Sequence, residues 1–127
     1  MAYKEVGEEL AAGEMMLAMR KHDKVIVLEI MGDVDIHSAK YLGRELEKLI
    51  CKEKHILLNL LKTCYMDSIG LSLLIAFHKK QREKGNFFGL CSPQSSMKRM
   101  LSIAKLYGFL LIFENEVDAL CAFSEGH

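Results

Sequence analysis

Two short and almost uninterrupted apolar runs, residues 24–31 and 55–61, constrain the fold of this chain most. Side chains alternate between the two faces of a strand. In the first run Ile26, Leu28 and Ile30 would face one side, while the opposite side carries Val25, Val27, Glu29 and Met31. A strand with apolar residues on both faces is typical of a sheet that is flanked by helices. The second run is followed by a segment with helical spacing, so the two runs predict a protein of the α/β class.

Helical and strand patterns alternate along the rest of the chain and define one domain. The predicted fold is a mixed sheet of about five strands that begins with an N-terminal hairpin, with about four helices packed on the sheet. The domain spans residues 14–124, between a loosely packed N-terminal extension at 1–13 and a C-terminal tail at 125–127. The predicted elements are hairpin arms 14–20 and 24–31, helix 38–51, strand 55–61, helix 69–84, strand 86–91, a helix beginning at Ser92-Pro93, strand 109–113 and a last helix through Phe123.

Composition and charge narrow the possible partners of the domain. The 127 residues contain 17 basic and 17 acidic side chains, so no net charge favours binding to nucleic acid or to an anionic membrane surface. No run of about 18 apolar residues predicts a membrane span, and the first residues do not resemble a secretion signal. The four cysteines form no CxxC pair. They are expected to be reduced, small and buried hydrophobic residues of a cytoplasmic protein.

The segment Met66–Leu71 joins the second apolar strand to the helix that follows, and Ser68 lies at this junction. Serine is a preferred N-cap because its hydroxyl accepts a hydrogen bond from a free backbone N–H of the first turn. A helix start also carries partial positive charge, which favours an anion. A phosphate on Ser68 would therefore place its negative charge where the backbone tolerates it. The same position predicts a hydroxyl that another protein can reach.

The helix after Ser68 is apolar on more than one side in its first half. One stripe is expected to face the sheet, and it consists of Leu71, Leu74, Ile75 and His78. The other stripe is expected to face outward near Ser68, and it consists of Ile69, Ser72, Leu73 and Ala76. Small and apolar residues beside an accessible hydroxyl indicate a surface for a protein partner. The alternative is that another helix of the same chain covers this stripe.

Enzyme classes fit these patterns poorly. A serine nucleophile elbow requires Gly two residues before and after the Ser, and Met66 occupies one of those positions although Gly70 occupies the other. A phospho-aspartate receiver domain is matched only loosely by Asp33, Asp35 and Asp67. The five histidines lack the spacing of metal ligands, and no glycine-rich phosphate loop is present. The chain is therefore expected to need no metal and no cofactor, and not to be an enzyme.

Three motifs in the chain together resemble a known family. The first is Gly32-Asp33-Val34-Asp35 followed by Ser38-Ala39, and the second is Met66-Asp67-Ser68-Ile69-Gly70-Leu71. The third is Ser92-Pro93 with Lys98-Arg99 and then Leu106. In this order the motifs resemble those of STAS domains, in particular the bacterial anti-sigma factor antagonists. The resemblance covers residues 14–124. Ile69 and Ser72 depart from the family motif, and they change the surface that a partner would contact.

The resemblance implies a protein-binding module that is switched by phosphorylation. In its unphosphorylated form such a module binds a serine-kinase anti-sigma factor and so releases a sigma factor to activate transcription. The kinase then phosphorylates the motif serine, and a serine phosphatase reverses the modification. By position the phosphoacceptor is Ser68. The partner-binding residues are expected to be Asp35, Asp67, Ile69, Gly70, Ser72, Leu73 and Ala76.

A second function is compatible with the same fold. STAS domains also serve as non-switching subunits or scaffolds of ABC transporters or stress-signalling complexes. In that case Ser68 would be a helix cap and nothing more.

Overall fold

The computed structural model of the chain describes residues 2–6 and 15–125, which form six strands and four helices. The strands are β1 (Ala2–Val6), β2 (Met15–His22), β3 (Val25–Gly32), β4 (His55–Lys62), β5 (Phe88–Cys91) and β6 (Leu111–Phe113). The helices are α1 (Ile36–Ile50), α2 (Ser68–Glu83), α3 (Ser95–Ile103) and α4 (Glu116–Glu125). The predicted α/β class and the mixed sheet are confirmed.

The six strands lie in the sheet in the same order as in the chain. β1, β2 and β3 pair antiparallel, whereas β3, β4, β5 and β6 pair parallel. α1, α2 and α3 each connect two neighbouring parallel strands, and right-handed crossovers place such helices on one face of a sheet. Their buried side chains share one core cluster. α4 packs in a second cluster on the opposite face.

β3 explains why both layers form. Ile26, Leu28 and Ile30 belong to the core cluster that includes α1, α2 and α3. Val25 and Val27 belong to the cluster that includes α4. The predicted strand with two covered faces is therefore confirmed, because side chains that alternate between the faces require an apolar partner layer on each side.

The hairpin between β2 and β3 closes with a tighter turn than predicted. His22 pairs with Val25, so the turn consists of Asp23 and Lys24 alone instead of the predicted residues 21–23. Asp23 has a φ of 59°. Aspartate tolerates this left-handed conformation better than most residues do, which makes the two-residue connection possible.

The start of α3 is a second difference from the sequence prediction. Ser92 does not begin the helix, because it has a φ of 58° and its N–H donates to the Phe113 carbonyl oxygen at 3.1 Å. Pro93 is buried between this sheet contact and the helix. The first helical residue is Ser95. The pairing of Ser92 with the end of β6 thus delays the helix beyond the proline.

The N-terminal segment forms part of the sheet, where the sequence suggested a loosely packed tail. Ala2–Val6 pairs antiparallel with β2, and Val6 lies opposite Leu17. This pairing makes β1 the outer strand and raises the strand count to six. Residues 1 and 7–13 of the predicted extension, and residues 126 and 127 of the predicted tail, lie outside the described residues.

The cysteines differ from the prediction as well. Cys91 is fully buried, and burial raises the pKa of its thiol to about 11. The other three thiols are exposed, those of Cys51, Cys64 and Cys121. Cys51 and Cys64 follow α1 and β4, where periodicity no longer defines a face, and Cys121 lies on the exposed side of α4. The expectation of four buried cysteines was therefore wrong for three of them.

Candidate functional site

Two loops meet at the carboxyl ends of β3 and β4 and form the framework of the site. The Val34 N–H donates to the Tyr65 carbonyl oxygen at 3.0 Å, and the Asp67 N–H donates to the Val34 carbonyl oxygen at 3.0 Å. Val34 and Met66 form an isolated parallel bridge between the loops. The bridge holds the starts of α1 and α2 side by side, since each helix begins within two residues of it.

Asp35 caps α1. Its Oδ1 accepts hydrogen bonds from the backbone N–H groups of His37 and Ser38, both at 2.9 Å. The Ser38 hydroxyl oxygen accepts from the Asp35 N–H at 2.9 Å and completes a capping box. The hydrogen bond from the Ser38 N–H is the main reason that the pKa of Asp35 is lowered. The Asp35 side chain therefore stays ionised at this edge.

Asp67 caps α2, and the prediction that Ser68 is the cap was wrong. The Asp67 Oδ1 accepts from the Ile69 N–H at 3.0 Å and from the Gly70 N–H at 3.1 Å. The hydrogen bond to the Val34 carbonyl holds the Asp67 backbone in an extended conformation, with a ψ of −176°. An extended residue before the first turn is the typical N-cap geometry. Ser68 becomes the first residue of the helix.

The Ser68 side chain is exposed at the start of α2. Because Asp67 provides the cap, the Ser68 hydroxyl has no capping role, and among residues 2–6 and 15–125 no hydrogen bond to it is formed. The structure therefore shows an exposed Ser68 side chain without a capping role.

Gly70 lets the first turn of α2 approach the bridge between the loops. A Cβ at this position would lie 2.3 Å from the Met66 Cγ and 3.0 Å from the Val34 Cγ1. Both neighbours are buried in the core, so they have little space to move. Gly70 is itself buried, and its lack of a side chain allows this close packing of the helix start on the bridge.

The two predicted stripes of α2 are found where the sequence placed them. Leu74 and His78 are buried towards the sheet, and Leu71 and Ile75 are half-buried against the same core. On the outer side Ile69, Ser72 and Ala76 are exposed, and Leu73 is half-buried. Leu73 packs against the core beside Gly43 of α1, so α1 covers this part of the outer stripe. Ile69, Ser72 and Ala76 stay exposed, and the alternative of a covering helix therefore holds for Leu73 alone. Sequence reasoning missed Phe77 and Gln81, which are also buried.

Sequence reasoning also missed three exposed apolar residues at the same edge of the sheet. Ile36 is 51% exposed, Leu61 is 54% exposed and Tyr65 is 47% exposed. Together with Ile69, which is 42% exposed, they form what we call the apolar edge. Ile36 follows the capping residue Asp35 directly, and Ile69 is the second residue after the capping residue Asp67. Each helix thus has an exposed isoleucine in its first turn, close to the capping aspartate, and this feature was a signal in the sequence.

A second charged cluster lies on the face of the sheet that α4 covers. Arg20 donates two hydrogen bonds of 2.8 Å to the two carboxylate oxygens of Glu116. Asn59 donates a third hydrogen bond of 2.8 Å to Glu116 Oε1. The side-chain hydrogen bond with Arg20 is the main cause that lowers the pKa of Glu116 and raises the pKa of Arg20. This cluster joins β2 and β4 to the first residue of α4.

Within residues 2–6 and 15–125, no group of three or more His, Cys, Asp or Glu side chains is arranged to hold a metal ion. In the same ranges no helix combines the length and the apolar character needed to cross a membrane.

Comparison with known proteins assigns this architecture to a family. The sequence model of the STAS domain matches residues 16–119. The chain belongs to the STAS domain family, and its relatives include proteins named as anti-sigma factor antagonists.

One of these relatives is the anti-sigma F factor antagonist of Paenibacillus polymyxa. It is 27% identical over 108 residues, which cover 84% of this chain and 92% of the relative.

Solved structures share the fold at lower sequence identity. An anti-sigma factor antagonist from Mycobacterium paratuberculosis superposes with a TM-score of 0.80 and 21% identity, over 87% of this chain and 94% of the other. Unphosphorylated SpoIIAA, an anti-sigma factor antagonist, gives a TM-score of 0.72 with 16% identity, over 87% and 97% of the two chains. The phosphorylated form of SpoIIAA, a Bacillus cell fate determinant, gives 0.64 with 18% identity, over 82% and 96%.

Proposed function

We propose that this protein is a binding module that is switched by phosphorylation of Ser68. Unphosphorylated, it binds a serine-kinase anti-sigma factor and so releases a sigma factor for transcription. The kinase transfers the γ-phosphoryl group of ATP to the Ser68 oxygen, and a serine phosphatase removes it. The observation that carries this proposal is an exposed Ser68 hydroxyl, free of any capping role, surrounded by exposed apolar side chains.

The relatives support the class of partner. Proteins named as anti-sigma factor antagonists match this chain in sequence and in fold. SpoIIAA, which has the same fold, exists in an unphosphorylated and a phosphorylated form. A switch of the same kind at Ser68 would use the one serine that this chain displays at the start of α2.

The proposed binding surface combines the outer stripe of α2 with the apolar edge. Ile69 belongs to both, and Ser72, Leu73 and Ala76 continue the stripe along the helix. Aromatic and aliphatic residues that are exposed together mark protein interfaces more often than isolated ones do. Tyr65 has the largest exposed apolar side chain of this proposed surface, and it is a candidate anchor for the partner.

Charge and desolvation would break the complex after phosphorylation. A phosphate adds about −1.5 to −2 charges at neutral pH. It would stand next to the Asp67 carboxylate, and Asp35 lies on the neighbouring loop. The N–H groups of Ile69 and Gly70 already bind the Asp67 Oδ1, so they are not available to the phosphate. An interface that includes Ile69 would have to bury this charge at a large cost, and release needs no refolding of the domain.

The proposal is tested with the purified serine-kinase anti-sigma factor of the same organism and ATP. Mass spectrometry should place a single phosphate on Ser68, and the Ser68→Ala variant should bind the kinase without being modified. The Ser68→Asp variant should bind at least tenfold more weakly than the wild type. Ser102→Asp, an equally exposed serine on α3, is the matched control and should bind normally. Equal affinity of Ser68→Asp and the wild type would refute the switch.

The rival function, a non-switching subunit of a transporter or a stress-signalling complex, makes a different prediction. It assigns Ser68 the role of a helix cap, and here that role belongs to Asp67. Under the rival function Ser68→Asp would be neutral, and a pull-down would recover a transporter ATPase or a large assembly in place of an ATP-binding kinase.

A further inference from the structure

We propose that the groove between α1 and α2 binds an amphipathic helix of the protein partner that carries acidic residues on both sides of an apolar stripe. The inference rests on the proposed function for the identity of the partner, and it adds where and by what chemistry that partner docks. The groove has a volume of about 500 Å³. Its lining residues are Ala39, Lys40, Gly43, Arg44 and Glu47 of α1 and Ile69, Leu73, Ala76, Phe77 and Lys80 of α2.

The floor of the groove is apolar, and small residues on both helices leave it open. Gly43 lies opposite Leu73, and a Cβ added at Gly43 would be 3.5 Å from the Leu73 Cδ2. Ala76 leaves a similar gap on the other wall, next to Phe77. An apolar channel of this kind accepts the side chains of a helix that lies along it.

The rim of the groove carries an excess of positive charge. Lys40, Arg44 and Lys80 line it, against the single carboxylate of Glu47, which pairs with Lys80. Three cations and one anion leave a net charge of +2, although the whole chain is neutral with 17 residues of each sign. A partner with acidic residues beside its apolar stripe is complementary to this rim, whereas a basic partner would be repelled.

The dimensions of the groove fit about two to three turns of helix. From Ile69 to Lys80 there are eleven residue-to-residue steps along α2, which correspond to about 16 Å at 1.5 Å per residue. The channel begins at Ile69, the residue that follows Ser68. A phosphate on Ser68 would therefore lie at one end of the channel and repel an acidic segment. The acidic residues of the partner would thus be attracted by the basic rim of the groove and repelled by the phosphate.

Charge reversal tests the chemistry of the partner. The double variant Lys40→Glu, Arg44→Glu should lower the affinity for the purified kinase at least tenfold. Binding by the wild type should weaken as the salt concentration rises. The control Lys79→Glu, Arg99→Glu makes the same change in net charge at exposed positions outside the groove. It should change the affinity less than twofold. Equal losses in both double variants, or no loss in either, would overturn the inference.

Blocking the groove tests its location. Gly43→Leu fills the channel, and its Cβ meets Leu73 only at ordinary contact distance, so the fold should persist. Circular dichroism and the melting temperature check this. The variant should bind the kinase at least tenfold more weakly, whereas Gly43→Ala should bind almost normally. Normal binding by a folded Gly43→Leu variant would overturn the inference.

Zero-length crosslinking identifies the occupant. A carbodiimide joins amines to carboxylates that are in contact, so Lys40 should crosslink to an Asp or Glu in a helix of the kinase, and Ser68→Asp should abolish the product. A Lys40 crosslink to a second copy of this chain would overturn the inference and leave the switch intact. Failure of the wild type to bind the kinase at all would instead refute the proposed function, and the inference with it.

Discussion

Carboxylates serve different purposes on the two sides of this molecule. On the face covered by α4, Glu116 forms a two-point ion pair with Arg20, and its charge is neutralised. At the carboxyl edge of the sheet, Asp35 and Asp67 bind backbone N–H groups of helix starts, and no described Lys or Arg pairs with them. The first arrangement joins distant elements, and the second leaves negative charge beside exposed apolar side chains.

This difference separates the charges that stabilise the domain from those that lie beside Ser68 on the proposed binding surface. The ion pair would stabilise the fold in either state of the proposed switch, since it lies on the opposite face from Ser68. The capping carboxylates stabilise the starts of α1 and α2, and they also make any further negative charge at Ser68 unfavourable for a bound partner. The predictions that follow test this separation of roles, beginning with the largest expected effect.

Replacement of Gly70 by Ala should reduce the stability of the domain more than the other replacements. The new Cβ would lie 2.3 Å from the Met66 Cγ, and overpacking of this kind destabilises by about 1–3 kcal/mol. We expect a loss of about 2 kcal/mol in the free energy of unfolding, measured by urea denaturation. Gly43→Ala is the control, because its Cβ meets only ordinary contacts and alanine favours a helix by about 1 kcal/mol over glycine. An unchanged free energy of unfolding in Gly70→Ala would show that the residues around Gly70 are loosely packed.

Replacement of Glu116 by Ala should affect the fold without affecting the partner. Three hydrogen bonds to a carboxylate are lost, while the Arg20 side chain, 40% exposed, can return to water. We expect a loss of about 1–2 kcal/mol in the free energy of unfolding. The affinity for the kinase should stay within twofold of the wild type. A large loss of affinity at unchanged stability would contradict the separation of the two sides.

Two replacements of Asp67 separate its capping role from its charge. Asp67→Ala removes the cap of α2 and should cost about 1 kcal/mol of stability. Asp67→Asn keeps an equally good cap and should leave stability almost unchanged. It removes one negative charge beside Ser68, so the phosphorylated Asn variant should bind the kinase more tightly than the phosphorylated wild type. Identical release in both proteins would show that Asp67 contributes only the cap.

The smallest expected effect is the contribution of the ion pair between Arg20 and Glu116 to the pH dependence of stability. The hydrogen bond from Arg20 lowers the pKa of Glu116 below its ordinary value of 4.5. Its contribution to stability is present above pH 4.5 and is lost as the pH falls through the lowered value. Glu116→Gln should therefore flatten the decline of the unfolding free energy below pH 4.5. Asp35→Asn should act in the same direction below 3.8, the ordinary value for that side chain. An unchanged slope in the Gln variant would argue against the ion pair.

Local patterns were sufficient to predict most of the fold. The alternation in β3 predicted both covered faces, and the helix predicted at 38–51 corresponds to α1, whose buried residues include Ala39, Leu42 and Leu46. These features follow from the period of a strand or a helix and from nearby residues alone. The edge strand β1 was not predicted, since its place in the sheet comes from pairing with β2 and not from any periodicity of its own.

The candidate site was predicted in position but not in all its parts. The motif sequence placed Ser68 at a strand-to-helix junction and gave the outer stripe of α2. Ile36, Leu61 and Tyr65 were missed, because Ile36 lies 25 residues before Leu61 in the chain and only the hydrogen-bonded loops bring the two segments to one edge. The contact between Arg20 and Glu116 was also beyond local reasoning, since 96 residues separate the two.

The sequence by itself determined the layers of this protein and the placement of a serine at the start of α2, because both depend on side chains close together in the chain. Only the tertiary structure decided which residue caps that helix. The hydrogen bond from the Asp67 N–H to the Val34 carbonyl, across two loops, fixes Asp67 outside the first turn. As a result, the neighbouring Ser68 hydroxyl has no capping role.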